Sequence, residues 1–361
     1  MVSTLPISAI DLFCGAGGLS WGLKSVGVSI AAGIDLDPAC RYPFEANVKS
    51  KFLQMNVADV SAGLLNSLWV AGSIRLLAGC APCQPFSSHR RGADTKDESN
   101  WDLLSHFGRL VAATMPDLVT MENVTRLARM SVFEEFVQQL KDLDYVVEFG
   151  NLYGPEFGLP QERRRLVLLA SRIGPVQLPV GNADKTKFRT VGQAIGSLPS
   201  LNHGEADPKD LLHTARRLAP INLARMKASV PGGTWRDWPS ELLAPCHQKA
   251  SGASFQAFYG RMKSDRPSPT ITTQAFNFGT GRFGHPSQDR SLTLREAAML
   301  QGFPRRYEFV PNGQRPSMQT VGRLIGNAVP PAFGAAVGRV FVALVSTQKA
   351  SATITVADRG E

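Results

Sequence analysis

Short apolar runs alternate with amphipathic stretches through the first half of the chain. The runs have the length of buried strands, and the residues between them place apolar side chains at helical spacing. The predicted strands are ISAIDLF (7–13), SIAAGID (29–35), RLLAGC (75–80), DLVTMENV (117–124) and RLVLLAS (165–171). Strands that alternate with helices predict right-handed βαβ units on a parallel sheet, and therefore an α/β fold.

Four stretches have the pattern of helices. They are GLSWGLKSV (18–26), PACRYPFEAN (38–47), SLTLREAAMLQGF (291–303) and PPAFGAAVGRVFVALV (330–345). In the third, Thr293 stands at the N-cap position and Glu296 follows three residues later, which is the spacing of a capping box. Regular elements are thus predicted at both ends of the chain.

The middle of the chain breaks this alternation. Between residues 173 and 265, Gly, Pro, Ser and Asn interrupt the sequence and regular patterning fades. We therefore expect 173–265 to form a smaller domain, and 1–172 together with 266–347 to form the main one. The polar residues 348–361 are expected to be a frayed tail.

The chain is basic, with 39 Lys and Arg against 30 Asp and Glu and a net charge of +9 over 361 residues. Residues 173–264 alone hold twelve basic against six acidic side chains. Such a surplus suits a polyanionic partner, although it also serves solubility. Five scattered cysteines fit a reducing cytosol, and we expect neither a signal peptide nor a membrane span.

Residues 80–87 read CAPCQPFS, and Glu122 and Asn123 end a later apolar run. A thiolate in a turn stiffened by prolines can act as a nucleophile beside a carboxylic acid. The same letters also fit a redox or metal-binding C-x-x-C formed by Cys80 and Cys83. Spacing alone leaves both interpretations open.

A glycine-rich turn, DLFCGAGGLSWG (11–22), links the first strand to the first helix. Together with Asp35 and Asp59 it suggests an adenosine-type cofactor, because glycines permit close approach and carboxylates accept hydrogen bonds from ribose. Such a turn can also serve packing alone. Arg163 and Arg165, two apart in an extended segment, would face the same side and could clamp an anion, or form a solvated basic turn.

The order of these motifs resembles that of the cytosine-5 DNA methyltransferases over nearly all of the chain outside the middle segment. The matching segments, in order, are DLFCGAGG, GIDLDPAC, ADV (58–60), APCQPFS, MENV, QERRR, RPSPTITT with LTLREAAMLQGFP, and GNAVPP (326–331). The resemblance implies a Rossmann-like methyltransferase fold: a mixed seven-stranded sheet whose last helix returns to the first domain. Residues 173–265 then take the place of a target-recognition domain.

The resemblance also implies a role for individual residues. Those at the reacting base would be Cys83 as nucleophile, Glu122 as proton donor, Asn123 as its support, and Arg163 and Arg165 lining the pocket. Those at the S-adenosylmethionine site would be Phe13, Gly15, Gly17, Asp35, Leu36, Asp59, Leu103 and Asn327. Leu36 stands where many members have an aromatic residue over the adenine, so we expect weaker stacking there. The loop with His89, Arg90 and Arg91 would close over DNA.

The implied partner is double-stranded DNA, methylated at a flipped-out cytosine in a specific sequence without metal or membrane. We expect a monomer in the bacterial cytoplasm, associated with the nucleoid and paired with a cognate restriction endonuclease. Candidate readers of guanine are Arg225, Arg236 and Arg261. Competing hypotheses are an RNA cytosine-5 methyltransferase, a thiol oxidoreductase using Cys80 and Cys83, and a catalytically silent DNA-binding protein. The Cys-Phe-Thr tripeptide of the RNA-acting branch is absent from the sequence.

Overall fold

The computed structural model describes residues 6–82, 102–245, 247–249 and 256–357. The chain divides into two compact units. The first unit comprises Met1–Tyr153, Arg164–Gly181 and Val329–Glu361, and the second comprises Gly154–Arg163 and Asn182–Ala328. The second unit is therefore larger than the expected 173–265 segment, because it includes residues up to 328.

A seven-stranded sheet forms the centre of the first unit, in the order β3-β2-β1-β4-β5-β7-β6. Its strands are β1 Ile7–Leu12, β2 Ser29–Asp35, β3 Lys51–Gln54, β4 Ile74–Gly79, β5 Leu118–Asn123, β6 Val146–Tyr153 and β7 Arg164–Ser171. β7 runs antiparallel to both β5 and β6, and the other pairs are parallel. The expected mixed sheet is confirmed. β1 and β5 are buried along their whole length, which explains their continuous apolar character.

Ten α-helices are described. They are α1 Gly18–Lys24, α2 Arg41–Pro43, α3 Ala62–Leu68, α4 Asp102–Thr114, α5 Ser131–Asp142, α6 Val191–Ile195, α7 Pro220–Ala228, α8 Leu294–Leu300, α9 Met318–Asn327 and α10 Pro331–Ala357. The expected helix at 38–47 is instead a 3₁₀ turn, the short α2 and a π turn in succession. The capping box of Thr293 and Glu296 is present at the start of α8.

The last helix packs against the first. A Cβ atom added at Gly22 of α1 would lie 2.2 Å from the Pro331 carbonyl oxygen and 2.8 Å from the Gly334 Cα of α10. The two helix backbones are thus in direct contact, which only glycine permits. α10 extends to Ala357, well beyond residue 347, where we expected regular structure to end.

The stretch Met318–Gln348, which contains α9 and the first part of α10, is apolar and long enough to cross a bilayer by length and composition. No membrane span was expected from the sequence. Burial of 61 % of its most apolar window within the protein is what a core helix of a globular fold shows. The close contact between α10 and α1 agrees with that interpretation.

The second unit has little regular structure apart from α6 to α9 and a two-stranded sheet of β8 Ala206–Asp207 and β9 Asp210–Thr214. A buried ion pair lies within it. The guanidinium of Arg290, which is wholly buried, donates to both carboxylate oxygens of Glu296 at 2.7 and 2.8 Å. A separate aromatic core contains Trp235, Trp238 and Phe278.

Candidate active site

The glycine-rich turn between β1 and α1 has an unusual backbone. Phe13, Gly15 and Gly17 all have positive φ angles, of 58°, 53° and 87°. The left-handed conformation is unfavourable for a phenylalanine, and such strain is concentrated at ligand sites. Apart from its own chain neighbours, no atom of the described residues lies within 4 Å of the position that a Cβ at Gly15 would occupy. The turn therefore leaves open space beside its backbone.

Asp35, the last residue of β2, holds this turn in place. Its Oδ2 accepts a hydrogen bond from the Gly15 amide at 2.9 Å, and its Oδ1 accepts one from the Asp37 amide at 2.9 Å. The neighbouring Leu36 is 64 % exposed, which is unusual for a large apolar side chain. An exposed apolar surface beside a fixed carboxylate suits a ligand with both an apolar ring and hydroxyl groups.

Asp59 lies at the end of a 3₁₀ turn, Val57–Asp59, and is exposed. Arg109 of α4 fixes this turn, because its Nη2 donates to the carbonyls of Val57, Ala58 and Val60 at 3.3, 3.1 and 3.1 Å. Arg109 was not among the residues predicted from the sequence. A single arginine in the sequence carries no sign that it will reach carbonyls some fifty residues earlier. Leu103, half-buried, lies near the start of the same helix.

Glu122 lies near the carboxyl end of β5, buried, with only 6 % of its side chain exposed. Its Oε2 accepts a hydrogen bond from the Cys80 thiol at 3.2 Å, and its Oε1 lies 3.4 Å from Arg165 Nε. The contact with Arg165 is an ion pair, yet Oε1 has no hydrogen-bond partner among the described residues. One carboxylate oxygen is thus satisfied by the protein and the other remains available to a ligand.

Asn123 ties β5 to the segment that leads to Cys83. Its side-chain amide donates to the Ala81 carbonyl at 3.1 Å, and its Oδ1 accepts from the Val124 amide at 2.8 Å. β4 ends at Gly79, next to Met121 of β5. Cys83 itself lies outside the described residues, as does the loop with His89, Arg90 and Arg91.

Arg163 and Arg165 of the QERRR motif have different partners. Arg165 lies on β7 beside Glu122. Arg163 precedes the strand and belongs to the second unit, where its guanidinium donates to the carbonyls of Ile271 and Gly326, both at 3.3 Å. Asn327, the last residue of α9, is exposed and also lies in the second unit. The roles of Arg163 and Asn327 stay predictions.

A second carboxylic acid lies under the glycine turn. Burial raises the pKa of Asp11 from 3.8 to about 7, although a hydrogen bond from the Ser20 hydroxyl at 2.6 Å opposes that shift. The negative charge of Asp35 raises the pKa of Asp11 further. The motif sequence did not indicate that Asp11 would be buried, because the burial of a strand residue depends on the elements that cover the sheet.

A family model of C-5 cytosine-specific DNA methylases matches residues 7–342. The chain belongs to this family. It is 45 % identical over 335 residues to the Type II methylase M.HgiDII of Herpetosiphon aurantiacus, with 92 % of this chain and 94 % of that protein covered. It is 31 % identical to the Type II methyltransferase M1.HphI of Haemophilus parahaemolyticus, with 93 % and 87 % covered.

Solved structures share the methyltransferase fold. A prophage-encoded E. coli protein described as a DNA modification methyltransferase superposes with a TM-score of 0.72 at 20 % identity, covering 94 % of this chain and 99 % of the other. The S. pombe Dnmt2 methyltransferase gives 0.60 at 17 % identity, covering 94 % and 98 %. The expected family, fold and activity are thus confirmed: the chain is a DNA cytosine-5 methyltransferase that uses S-adenosylmethionine.

Among the residues that the structure describes, no group of three or more His, Cys, Asp or Glu side chains could hold a metal ion. The thiol of Cys80 is hydrogen-bonded to Glu122, an arrangement that a redox C-x-x-C does not require. Membership of the methyltransferase family accounts for the cysteine, acid and arginine motifs together, which the oxidoreductase hypothesis does not.

The structure separates the three arginines that were candidates for reading guanine. Arg261 is buried, and its guanidinium donates to three backbone carbonyls and to Asp289, so the expectation was wrong for this residue. Arg225 is half-buried, donates to the Leu242 carbonyl at 2.8 Å and covers the Trp238 ring. Arg236 alone of the three is exposed, with its guanidinium over the Trp235 ring.

Proposed function

We propose that this methyltransferase acts through a covalent adduct of Cys83, with Glu122 as the proton donor and Arg165 as its charged neighbour. The observation that supports the proposal is the buried Glu122 carboxyl at the carboxyl end of β5, one oxygen of which accepts no hydrogen bond from the described part of the chain. Ligands of open α/β sheets bind at that edge. Asn123 connects the acid to the segment that precedes the nucleophile.

The chemistry requires these two groups to act on the same ring. Carbon 5 of cytosine is a poor nucleophile until the Cys83 thiolate adds to carbon 6 and Glu122 donates a proton to ring nitrogen 3. These two events give carbon 5 the electron density of an enamine. S-adenosylmethionine supplies the methyl group that carbon 5 then accepts. Carbon 5 then loses its proton to water, ring nitrogen 3 returns its proton to Glu122, and the Cys83 thiolate leaves as the carbon 5–carbon 6 double bond re-forms.

The proposed cofactor site fits the residues on the first unit. Gly15 and Gly17 would allow close approach to the turn, Phe13 would pack on the adenine and Asp35 would accept hydrogen bonds from the ribose. The exposed side chain of Leu36 would cover the adenine where an aromatic residue is usual. Asp59 and Leu103 would complete this part of the site, and the motifs also assign Asn327 to the cofactor and Arg163 to the pocket of the base.

We also propose that the substrate is a specific sequence in double-stranded DNA, with 173–265 selecting the target. The curated relatives named as Type II methylases support a role beside a cognate restriction endonuclease. The enzyme would act as a monomer on nucleoid DNA in the cytoplasm. The target cytosine must leave the stack, at a cost of roughly a few kcal/mol, before its faces can be reached.

A trapping experiment tests the nucleophile. The protein is incubated with S-adenosylmethionine and duplex DNA that carries 5-fluorocytosine at the target, found beforehand by bisulfite sequencing of DNA from expressing cells. Carbon 5 of this base carries fluorine in place of the hydrogen that must be lost before the thiolate can leave. A denaturation-resistant complex should therefore accumulate with the parent and with Cys80→Ser. It should be absent with Cys83→Ser, and a complex that survives this substitution would refute the assignment.

A graft tests the recognition segment. Residues 173–265 are replaced by the corresponding segment of a methyltransferase with a different target, and methylation is mapped by bisulfite sequencing. The hybrid should methylate the donor's sequence. An active hybrid that still methylates the parental sequence would show that specificity lies elsewhere.

A further inference from the structure

Cys80 occupies a fixed position between the cofactor turn and the catalytic acid. It follows β4 directly, and its amide donates to the carbonyl of Leu12, at the end of β1, at 3.3 Å. Its thiol donates to Glu122 Oε2 at 3.2 Å. The backbone of Cys80 is therefore anchored to one strand while its side chain contacts the end of another.

The two oxygens of Glu122 are not equivalent. Oε2 accepts the Cys80 thiol, whereas Oε1 faces Arg165 Nε at 3.4 Å without hydrogen-bonding geometry. A carboxyl group held only by the ion pair could rotate about its terminal torsion, which is broad and roughly two-fold. The hydrogen bond from the Cys80 thiol favours one orientation of the carboxyl plane, because the sulfur can donate to only one of the two oxygens at a time.

We propose that Cys80 is a positioning residue for the methyl-transfer reaction. Its S–H···O contact fixes the plane of the Glu122 carboxyl and reserves Oε1 for ring nitrogen 3 of the cytosine. The inference rests on the proposed role of Glu122 as proton donor. Cys80 touches neither the base nor the cofactor in this role, and it acts in its protonated form, so it does not compete with Cys83 as a nucleophile.

The expected effect falls on turnover rather than on binding. In Cys80→Ala the donor is lost, and kcat should fall about tenfold, the lower range for a hydrogen bond to a charged group because a thiol is a weak donor. KM for DNA and for S-adenosylmethionine should stay within about twofold, since uniform binding is unaffected. Cys80→Ser keeps a donor and should restore kcat to within about threefold of the parent.

A second readout isolates the ring chemistry from methyl transfer. Exchange of tritium from carbon 5 of the target cytosine, measured with S-adenosylhomocysteine in place of the methyl donor, reports thiolate addition and protonation of the ring. It should fall in parallel with kcat in Cys80→Ala. Cys40→Ala, which removes another thiol of the first unit, is the matched control and should exchange at the parental rate. Cys80→Val serves as a second donor-free variant if Cys80→Ala lowers the melting temperature.

A double-mutant cycle with Glu122→Gln separates the two proposals. If Cys80 acts through the acid, Cys80→Ala should slow exchange in the parent and have no further effect in the Glu122→Gln background. Parental exchange in Cys80→Ala beside a slow Glu122→Gln would overturn the positioning role alone. The same conclusion follows if Cys80→Ser is as slow as Cys80→Ala. Parental exchange in Glu122→Gln itself would overturn the proposed function instead.

Discussion

The carboxylate of Asp35 and the backbone amide of Gly15 form a 2.9 Å hydrogen bond that joins the end of β2 to the turn after β1. The contact is between residues twenty apart in sequence and explains how a strained, glycine-rich turn keeps its shape. A carboxylate so placed can orient the turn and still accept hydrogen bonds from a ligand through its remaining lone pairs.

Asp35→Ala should therefore weaken S-adenosylmethionine binding by at least about tenfold, because both the turn and the ribose lose an acceptor. Asp35→Asn keeps one acceptor oxygen and should fall between Asp35→Ala and the parent. Calorimetric titration with the cofactor gives the affinities, and gel-shift titration should show little change in DNA binding. Equal cofactor affinity in Asp35→Ala and the parent would contradict the assignment.

Arg109→Met should also weaken cofactor binding, although Arg109 has no proposed contact with the cofactor. The substitution keeps the apolar stem and removes the guanidinium that holds the carbonyls of the Val57–Asp59 turn. We expect a loss of about three- to tenfold in affinity, typical for removal of one anchoring group. Lys141→Met, on the exposed surface of α5, is the control and should bind normally.

Asp11 should make stability depend on pH. Because its folded-state pKa of about 7 lies above the ordinary 3.8, the folded protein binds this proton more tightly than the unfolded chain. Its contribution to stability is fully present below pH 3.8 and is lost as pH rises through about 7. Melting temperatures of Asp11→Asn, which cannot ionise, should fall less than those of the parent across this range. Parallel pH profiles would argue against the shift.

The buried pair of Arg290 and Glu296 should be the most sensitive point of the second unit. Glu296→Gln leaves a wholly buried guanidinium without its counter-charge, at a cost of about 3–5 kcal/mol in the free energy of unfolding. Urea denaturation measures this loss. The exposed pair of Lys187 and Asp184, 3.6 Å apart, provides the comparison, and Lys187→Ala should change stability by no more than about 0.5 kcal/mol.

Arg236 and Arg261 should separate recognition from folding. Arg261→Ala removes bonds to backbone carbonyls and to Asp289, so it should lower stability without relaxing target preference. Arg236→Ala should leave the fold intact. If Arg236 reads a base, Arg236→Ala should lose roughly 1–3 kcal/mol of discrimination between bases at one position of the target sequence. If Arg236 contacts a phosphate, the substitution should lower methylation of all sequences alike. Deep sequencing of methylated random DNA distinguishes these results.

The apolar pattern of the sequence was sufficient to predict the strands that are mostly buried. β1, β2, β4, β5 and β7 were all predicted, because continuous apolar runs have few alternatives in a soluble chain. β3 and β6 were not predicted. β6 is largely exposed, so its sequence lacks the continuous apolar run of a buried strand. β3 has only four residues, too few to form a recognisable pattern. The capping box of α8 was predicted because it depends only on residues three apart.

The sequence by itself determined which chemical groups this protein has: the order of its motifs identified the family and predicted which residues serve as the acid and the cofactor turn. Only the tertiary structure decided which groups meet. The hydrogen bonds from Cys80 to Glu122, from Arg109 to the Ala58 carbonyl and from Arg261 to the Met226 carbonyl each join residues that are far apart in sequence. Such contacts depend on strand order and helix packing, so no local pattern of residues can indicate them.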